Sequence, residues 1–120
     1  MSRYPVFDRS RIELRQLAER GHDLTLAGCR PLDAAFEPFE HPEFAELTDR
    51  IRAARRDGRP VVVMMGGHPI KLGLSRYLVD LIERGWITHL ATNGAGIIHD
   101  YELALGGGTS EDVPRWIRRG

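Results

Sequence analysis

The fold is decided by residues 61–105, which read VVVMMGGHPIKLGLSRYLVDLIERGWITHLATNGAGIIHDYELAL. This stretch opens with a short, mostly β-branched run, residues 61–65, which predicts a strand covered on both faces. Residues 86–92 predict a second strand, and each strand is followed by a glycine-rich turn and then by a helical pattern. Strands that alternate with helices pair in parallel through right-handed crossovers. We therefore predict an α/β fold with a Rossmann-like parallel sheet and flanking helices.

The helices of this sheet are predicted from apolar residues that recur every three or four positions. One helix is expected over about residues 42–57, a second over about residues 70–84, and a third over residues 97–105. Three glycines end the third helix, and the Thr-Ser-Glu-Asp sequence of residues 109–112 predicts the N-cap of a further helix. Residues 41–120 are thus expected to form the sheet domain.

An N-terminal arm is predicted over residues 1–40. Prolines and glycines interrupt these residues, and their apolar side chains follow no clear helix or strand period. The arm still carries enough apolar residues that we expect it to pack against another part of the protein.

The composition excludes several classes of protein. The 17 Lys and Arg residues balance 17 Asp and Glu residues, and this zero formal net charge argues against a dedicated nucleic-acid binder. No apolar run approaches the ~20 residues that span a bilayer, so we expect no membrane partner. The chain has one cysteine, Cys29, which cannot form an internal disulfide bond. A reducing, cytoplasmic location is therefore expected.

Two glycine turns, Gly66-Gly67 and Gly94–Gly96, follow the two predicted strands directly. Ligands of parallel sheets bind at the carboxyl ends of the strands, and such turns aim backbone N–H groups and the positive end of a helix at one point. This placement favours a shared site for a nucleotide or another phosphorylated ligand. Neither turn matches the G-x-G-x-x-G fingerprint. Tight turns that need positive φ angles would explain the same glycines.

Five titratable residues near these turns are candidates for chemistry. Lys71 is the only lysine of the chain, and it could neutralise an anionic group or form a Schiff base. His68 and His99 could each act as a general acid or base, or simply bond to the backbone and to neighbouring carboxylates. Asp100 or Glu102 could hold a ribose hydroxyl or an amine. His99 and Glu102 alone are too few ligands for a metal ion, so no metal site is predicted.

Three blocks carry a family resemblance: residues 66–74 (GGHPIKLGL), 92–102 (TNGAGIIHDYE) and 109–113 (TSEDV). In this order and spacing they resemble a family of bacterial proteins in the deoxyhypusine-synthase-like NAD-binding superfamily. The resemblance spans roughly residues 45–113. Because the similar proteins are much longer, we expect this chain to be a truncated product or a fragment, and the sheet domain to be partial.

The resemblance implies an NAD-binding unit of an enzyme that acts on a small amine or amino acid through transient hydride transfer. Deoxyhypusine synthesis itself is not implied, because the catalytic lysine of that enzyme lies in a segment without a counterpart in this sequence. Ile98 and His99 also replace its two glutamates, which departs from its polyamine-handling pattern. The similar ornithine cyclodeaminase domains also use NAD and share a His-Asp pair at His99-Asp100. On this interpretation the catalytic residues are Lys71, His99 and Asp100. The cofactor-binding residues are Gly66, Gly67, His68, Thr92, Asn93, Gly94, Gly96 and Glu102.

Two alternatives remain open from the sequence. The glycine turns and Lys71 would equally suit an enzyme or binding domain for another phosphorylated ligand, such as a sugar phosphate. A truncated chain could instead be inactive and act only by self-association, because an open sheet edge pairs readily with another copy. The leading interpretation also predicts a small-molecule ligand and a homo-oligomer.

Overall fold

The computed structural model describes residues 3–6, 8–16 and 19–119. Helices and strands both occur, which confirms the α/β class. In chain order the elements are β1 (His22–Thr25), α1 (Phe44–Arg56), β2 (Val62–Met65), α2 (His68–Lys71), α3 (Ser75–Glu83), β3 (His89–Thr92), α4 (Gly94–Gly106), β4 (Gly108–Glu111) and α5 (Val113–Arg119). Single 3-10 turns lie at Arg9–Arg11 and Leu26–Gly28. None of the helices in these ranges is long and apolar enough to cross a membrane.

The predicted parallel pairing is confirmed for β2 and β3. Val62 lies opposite His89 and Met65 opposite Thr92, so both strands end at the same edge. β1 and β4 form a second, antiparallel pair. The described strands therefore make two separate two-stranded sheets, and the larger Rossmann-like sheet expected from the sequence is not among them.

The helix predicted over residues 70–84 is wrong as one element, because it is divided at Gly73. Gly73 has a φ angle of +78°, which a residue with a side chain rarely adopts. A Cβ atom at this position would lie 3.1 Å from Cα of Cys29. The Gly73 carbonyl also accepts a hydrogen bond from the backbone N–H of Arg30 at 2.8 Å. The break between α2 and α3 thus docks the buried Cys29 region of the N-terminal arm.

The helix N-cap predicted at residues 109–112 is also wrong, since residues 109–111 belong to strand β4. The capping role is confined to Asp112, whose Oδ1 accepts the backbone N–H of Arg115 at 3.1 Å as α5 begins. Gly108 lets β1 approach closely, because a Cβ atom there would lie 2.5 Å from Cδ2 of His22. Pairing with β1 determines the structure of this segment more strongly than its cap-like composition does.

Helix α4 joins the two sheets, because it begins directly after β3 and ends directly before β4. Its inner face carries the buried residues Gly96 and Leu103. Gly107 ends the helix with a φ angle of +69°, as the three consecutive glycines predict. The buried apolar residues of the described ranges are few: Cys29, Ile70, Ile87 and Leu103.

Candidate functional site

The two glycine turns meet at the carboxyl edge of β2 and β3, as the sequence predicts. A Cβ atom at Gly67 would lie 2.8 Å from Cδ2 of His99 and 3.2 Å from the carbonyl oxygen of Ala95. A Cβ atom at Gly96 would overlap the hydroxyl of Thr92. Contact with the other turn accounts for glycine at position 67, and contact with Thr92 at the end of β3 accounts for glycine at position 96, without any need for a ligand that approaches the backbone.

Asn93 caps the N-terminus of α4 with its own side chain. Its Oδ1 accepts the backbone N–H groups of Ala95 at 3.1 Å and Gly96 at 3.2 Å. A phosphate at this end of the helix would have to compete with the cap for these N–H groups. Gly94 differs, because a Cβ atom there would meet nothing within 4 Å. The open place for a ligand at this turn is thus the backbone of Gly94.

A hydrogen-bonded chain joins His99 on α4 to Glu102 through Thr109 on β4. Nδ1 of His99 lies 2.8 Å from Oγ1 of Thr109, which lies 2.6 Å from Oε2 of Glu102. Thr109 is fully buried. Its hydroxyl has one proton, and an ionised carboxylate can only accept, so Thr109 donates to Glu102 and accepts from His99. We infer that Nδ1 of His99 carries a proton, which leaves Nε2 of the neutral ring with its lone pair.

Arg20 completes this cluster from the segment before β1. Its NH2 group donates to Oε1 of Glu102 at 2.8 Å, and its Nε donates to Oε2 of Glu111 at 2.7 Å. Burial lowers the pKa of Arg20, but the two carboxylates outweigh burial and raise it. The four side chains His99, Thr109, Glu102 and Arg20 are called the relay cluster below.

The ionised state of Glu102 is set by competing effects. Burial raises the pKa of Glu102, while hydrogen bonds from Thr109, Arg20 and the backbone of Ser110, together with the positive charge of Arg20, lower it. The lowering effects prevail, so the pKa lies below its ordinary value. Glu102 is therefore a carboxylate at neutral pH, as the direction of the Thr109 hydrogen bond requires.

The free nitrogen of His99 lies on the side of the first glycine turn. Cδ2, which is bonded to Nε2, is the ring atom that approaches Gly67. The His99 side chain is 21% exposed, so the ring is held by protein on most sides and is still reached by solvent. This arrangement can take a proton from a substrate group near the carboxyl edge of β2.

Other predicted site residues lie apart from the relay cluster. His68, Lys71 and Asp100 are exposed, as is Thr92 at the end of β3. Within the described ranges, no hydrogen bond or ion pair joins the side chains of His68, Lys71 and Asp100 to the cluster. The predicted site residues therefore fall into two groups. His99 and Glu102 are connected by the fold, whereas the exposed residues are accessible to a ligand.

Sequence reasoning missed two members of the relay cluster, Thr109 and Arg20. Thr109 stands in a block that was assigned to a helix cap, so its place beside His99 was hidden by the wrong local structure. Arg20 is 82 positions from Glu102 and lies in a segment without a clear period. Only the pairing of β1 with β4 brings it to the site.

Comparison with protein-family models, curated proteins and solved structures finds no match to this chain. The family resemblance of the three sequence blocks thus stays a prediction. What the chain itself offers is an oriented imidazole, a buried hydroxyl and an ionised carboxylate beside a turn with one open glycine. These groups form the basis of the functional proposal.

Proposed function

We propose that the chain is the nucleotide-binding part of an enzyme that acts on a small amine or amino acid, with His99 as its acid–base residue. β2 and β3 would form the centre of a Rossmann-like sheet, and NAD is the cofactor that the resemblance implies. The observation that carries the proposal is the hydrogen-bonded chain from Nδ1 of His99 through Thr109 to Glu102.

The relay cluster suits proton transfer to and from a substrate group. A neutral imidazole with a free Nε2 accepts a proton from an ammonium or hydroxyl group of the substrate and can return it later. The positive charge then formed lies close to Glu102, whose Oε2 is 3.9 Å from Nδ1 of His99. Thr109 and Glu102 are positioning residues in this scheme, because they fix the ring and its tautomer without touching the substrate.

Within the two glycine turns, Gly94 is the residue whose backbone is open to contact NAD. When bound, NAD supplies reversible hydride transfer. Gly94 has open space above its backbone, so it can contact a dinucleotide, and the exposed Lys71 is available as a cation for phosphate. Gly67, Gly96 and Asn93 have structural roles that would hold the turn in place beneath the cofactor.

Titration calorimetry with NAD tests the cofactor proposal. Gly94→Ala adds a methyl group where a ligand would approach, so the affinity for NAD should fall about tenfold or more, a change of about 1.4 kcal/mol. The matched control is Gly106→Ala at the other end of α4, where an added Cβ also meets nothing within 4 Å. This control should bind NAD like the original chain. Absence of NAD binding to the original chain, together with clear binding of a sugar phosphate, would support the alternative ligand class.

Nuclear magnetic resonance tests the role of His99 separately. Long-range ¹H–¹⁵N spectra, assigned with a His99→Asn variant, should show the Nδ1–H tautomer for His99. His68, which is exposed and has no side-chain hydrogen bond within the described residues, is the internal control and should show no fixed tautomer. A His99 ring protonated only at Nε2 would contradict the relay and remove the observation on which the proposal rests.

A further inference from the structure

Helix α4 is apolar on two opposite faces. Its inner face carries Leu103, which is 4% exposed. Its outward side carries four large apolar residues, which we call the α4 outer face: Ile97 (60% exposed), Ile98 (57%), Tyr101 (64%) and Leu105 (65%). A surface helix normally has one apolar stripe, which faces the core, and a polar opposite face, so a second apolar face is unusual. The outer face is therefore suited to being covered.

The chain also has much more surface than a compact protein of its size. Its accessible surface is 10033 Å², whereas a folded monomer of this mass has about 6,600 Å². Its radius of gyration is 19.5 Å, against about 14 Å for a compact domain of this length. The surplus is about 3,400 Å², and obligate dimers bury about 2,000–5,000 Å² in total. This surplus is spread over the whole chain, and a third of it from each of two copies would supply an interface of that size.

We propose that a second copy of this chain covers the α4 outer face, with the two α4 helices antiparallel about a two-fold axis at Tyr101. Ile97 and Leu105 lie four residues before and after Tyr101, one helical turn in each direction. In an isologous contact, residue i meets residue j and residue j meets residue i. Ile97 of each copy then packs against Leu105 of the other, so this face is complementary to itself.

Shape and charge also favour a second copy as the occupant. A groove of about 330 Å³ runs beside the outer face, lined further by Arg20, His22 and Glu102. It can receive side chains of the second copy. The groove lining contains one cation and one anion, Arg20 and Glu102, which form an ion pair, so it does not select a strongly acidic or basic partner. The zero net charge of the chain means that two copies do not repel each other.

Sedimentation equilibrium of the full chain tests the proposal. The original chain should form a dimer. Tyr101→Glu and Tyr101→Lys each place like charges opposite one another on the axis, so each should weaken dimerisation at least about a hundredfold. The matched control is Leu47→Glu on α1, which also puts a carboxylate at an exposed apolar helix position and should leave the dimer intact.

Mixing the two Tyr101 variants distinguishes a lost contact from a lost fold. The Glu and Lys side chains face each other across the axis in a mixed dimer, so the mixture should regain dimers that neither variant forms alone. An original chain that stays monomeric would overturn the proposal. So would a mixture that stays monomeric, or a dimer that persists in Tyr101→Glu and therefore uses another surface, such as the edge of β3. None of these results requires bound NAD or a particular tautomer of His99, so they test the dimer separately from the proposed function.

Discussion

Replacing Thr109 by Val removes the hydroxyl that joins His99 to Glu102 and keeps the shape of the side chain. Thr109 is fully buried and bonds to both neighbours, at 2.8 Å and 2.6 Å. No other described side chain stands between them, so the variant leaves Nδ1 of His99 and Oε2 of Glu102 without this partner. The Arg20 contact with Oε1 of Glu102 is retained.

The expected loss in the free energy of unfolding is about 2 kcal/mol at pH 7. A hydrogen bond to a charged group contributes about 1.5–3 kcal/mol and a neutral one about 1 kcal/mol. Burial of the new methyl group stabilises the variant by about 0.8 kcal/mol, which offsets part of this loss. For a chain of this length, a loss of about 2 kcal/mol lowers the melting temperature by roughly 6–10 °C.

Urea unfolding followed by far-ultraviolet circular dichroism gives the measurement, with all variants at one protein concentration because any dimer adds to the apparent stability. The pKa of Glu102 is lowered in the folded chain. Its stabilisation is therefore complete above the unfolded pKa of about 4.3 and is lost as the pH falls through the lower folded value. Thr109→Val raises the folded pKa of Glu102, so the difference between the two proteins should shrink below about pH 4.

The control for this substitution is Thr25→Val, the same change at an exposed strand position. It should alter the free energy of unfolding by less than about 0.5 kcal/mol. If Thr109→Val costs no more than Thr25→Val, the hydroxyl does not link His99 to Glu102. A large cost that stays constant down to pH 3 would show instead that packing around Thr109, and not the ionised Glu102, is responsible.

Two further substitutions test the backbone features that hold the site. Gly73→Ala should lower the free energy of unfolding more than Gly58→Ala does. Both glycines have a positive φ angle, and a side chain in that conformation costs about 1–2 kcal/mol. Only at Gly73 would the added Cβ also lie 3.1 Å from the backbone of Cys29. Equal losses in urea unfolding would refute the docking role of Gly73. Asn93→Ala should cost about 1 kcal/mol by removing the cap of α4. It should also speed hydrogen exchange of the Gly96 amide, and unchanged exchange would argue against the cap.

The local pattern predicts the parallel pair and the meeting of its two turns. Residues 61–65 are continuously apolar, and the glycines that follow both strands permit the close contact between Gly67 and α4. The end of α4 could also be predicted, because three consecutive glycines cannot continue a helix at low cost. These features depend on residues close in sequence, which is why the sequence is sufficient for them.

The features that were missed depend on contacts between distant residues. β1 is a four-residue strand whose stability comes from β4, and β4 has a composition that suits a helix cap equally well. Ser110 within β4 has a φ angle of +62°, which is uncommon for any residue but glycine and could not be expected from a strand pattern. His99 and Glu102 could be selected from the sequence, but the connection between them through Thr109 required this long-range pairing.

The distance along the chain between β1 and β4 also sets the order in which the site forms. Arg20 and Glu111 are 91 positions apart, whereas β2, β3 and α4 lie close together in sequence. Closing so long a loop costs conformational entropy before any contact stabilises it, and such pairings form slowly. We therefore expect the parallel strands and α4, which carries His99, to assemble before β1 pairs with β4. The contact that depends on this late pairing is that of Arg20 with Glu102, whereas Thr109, the partner of His99, is only ten positions away from it in sequence.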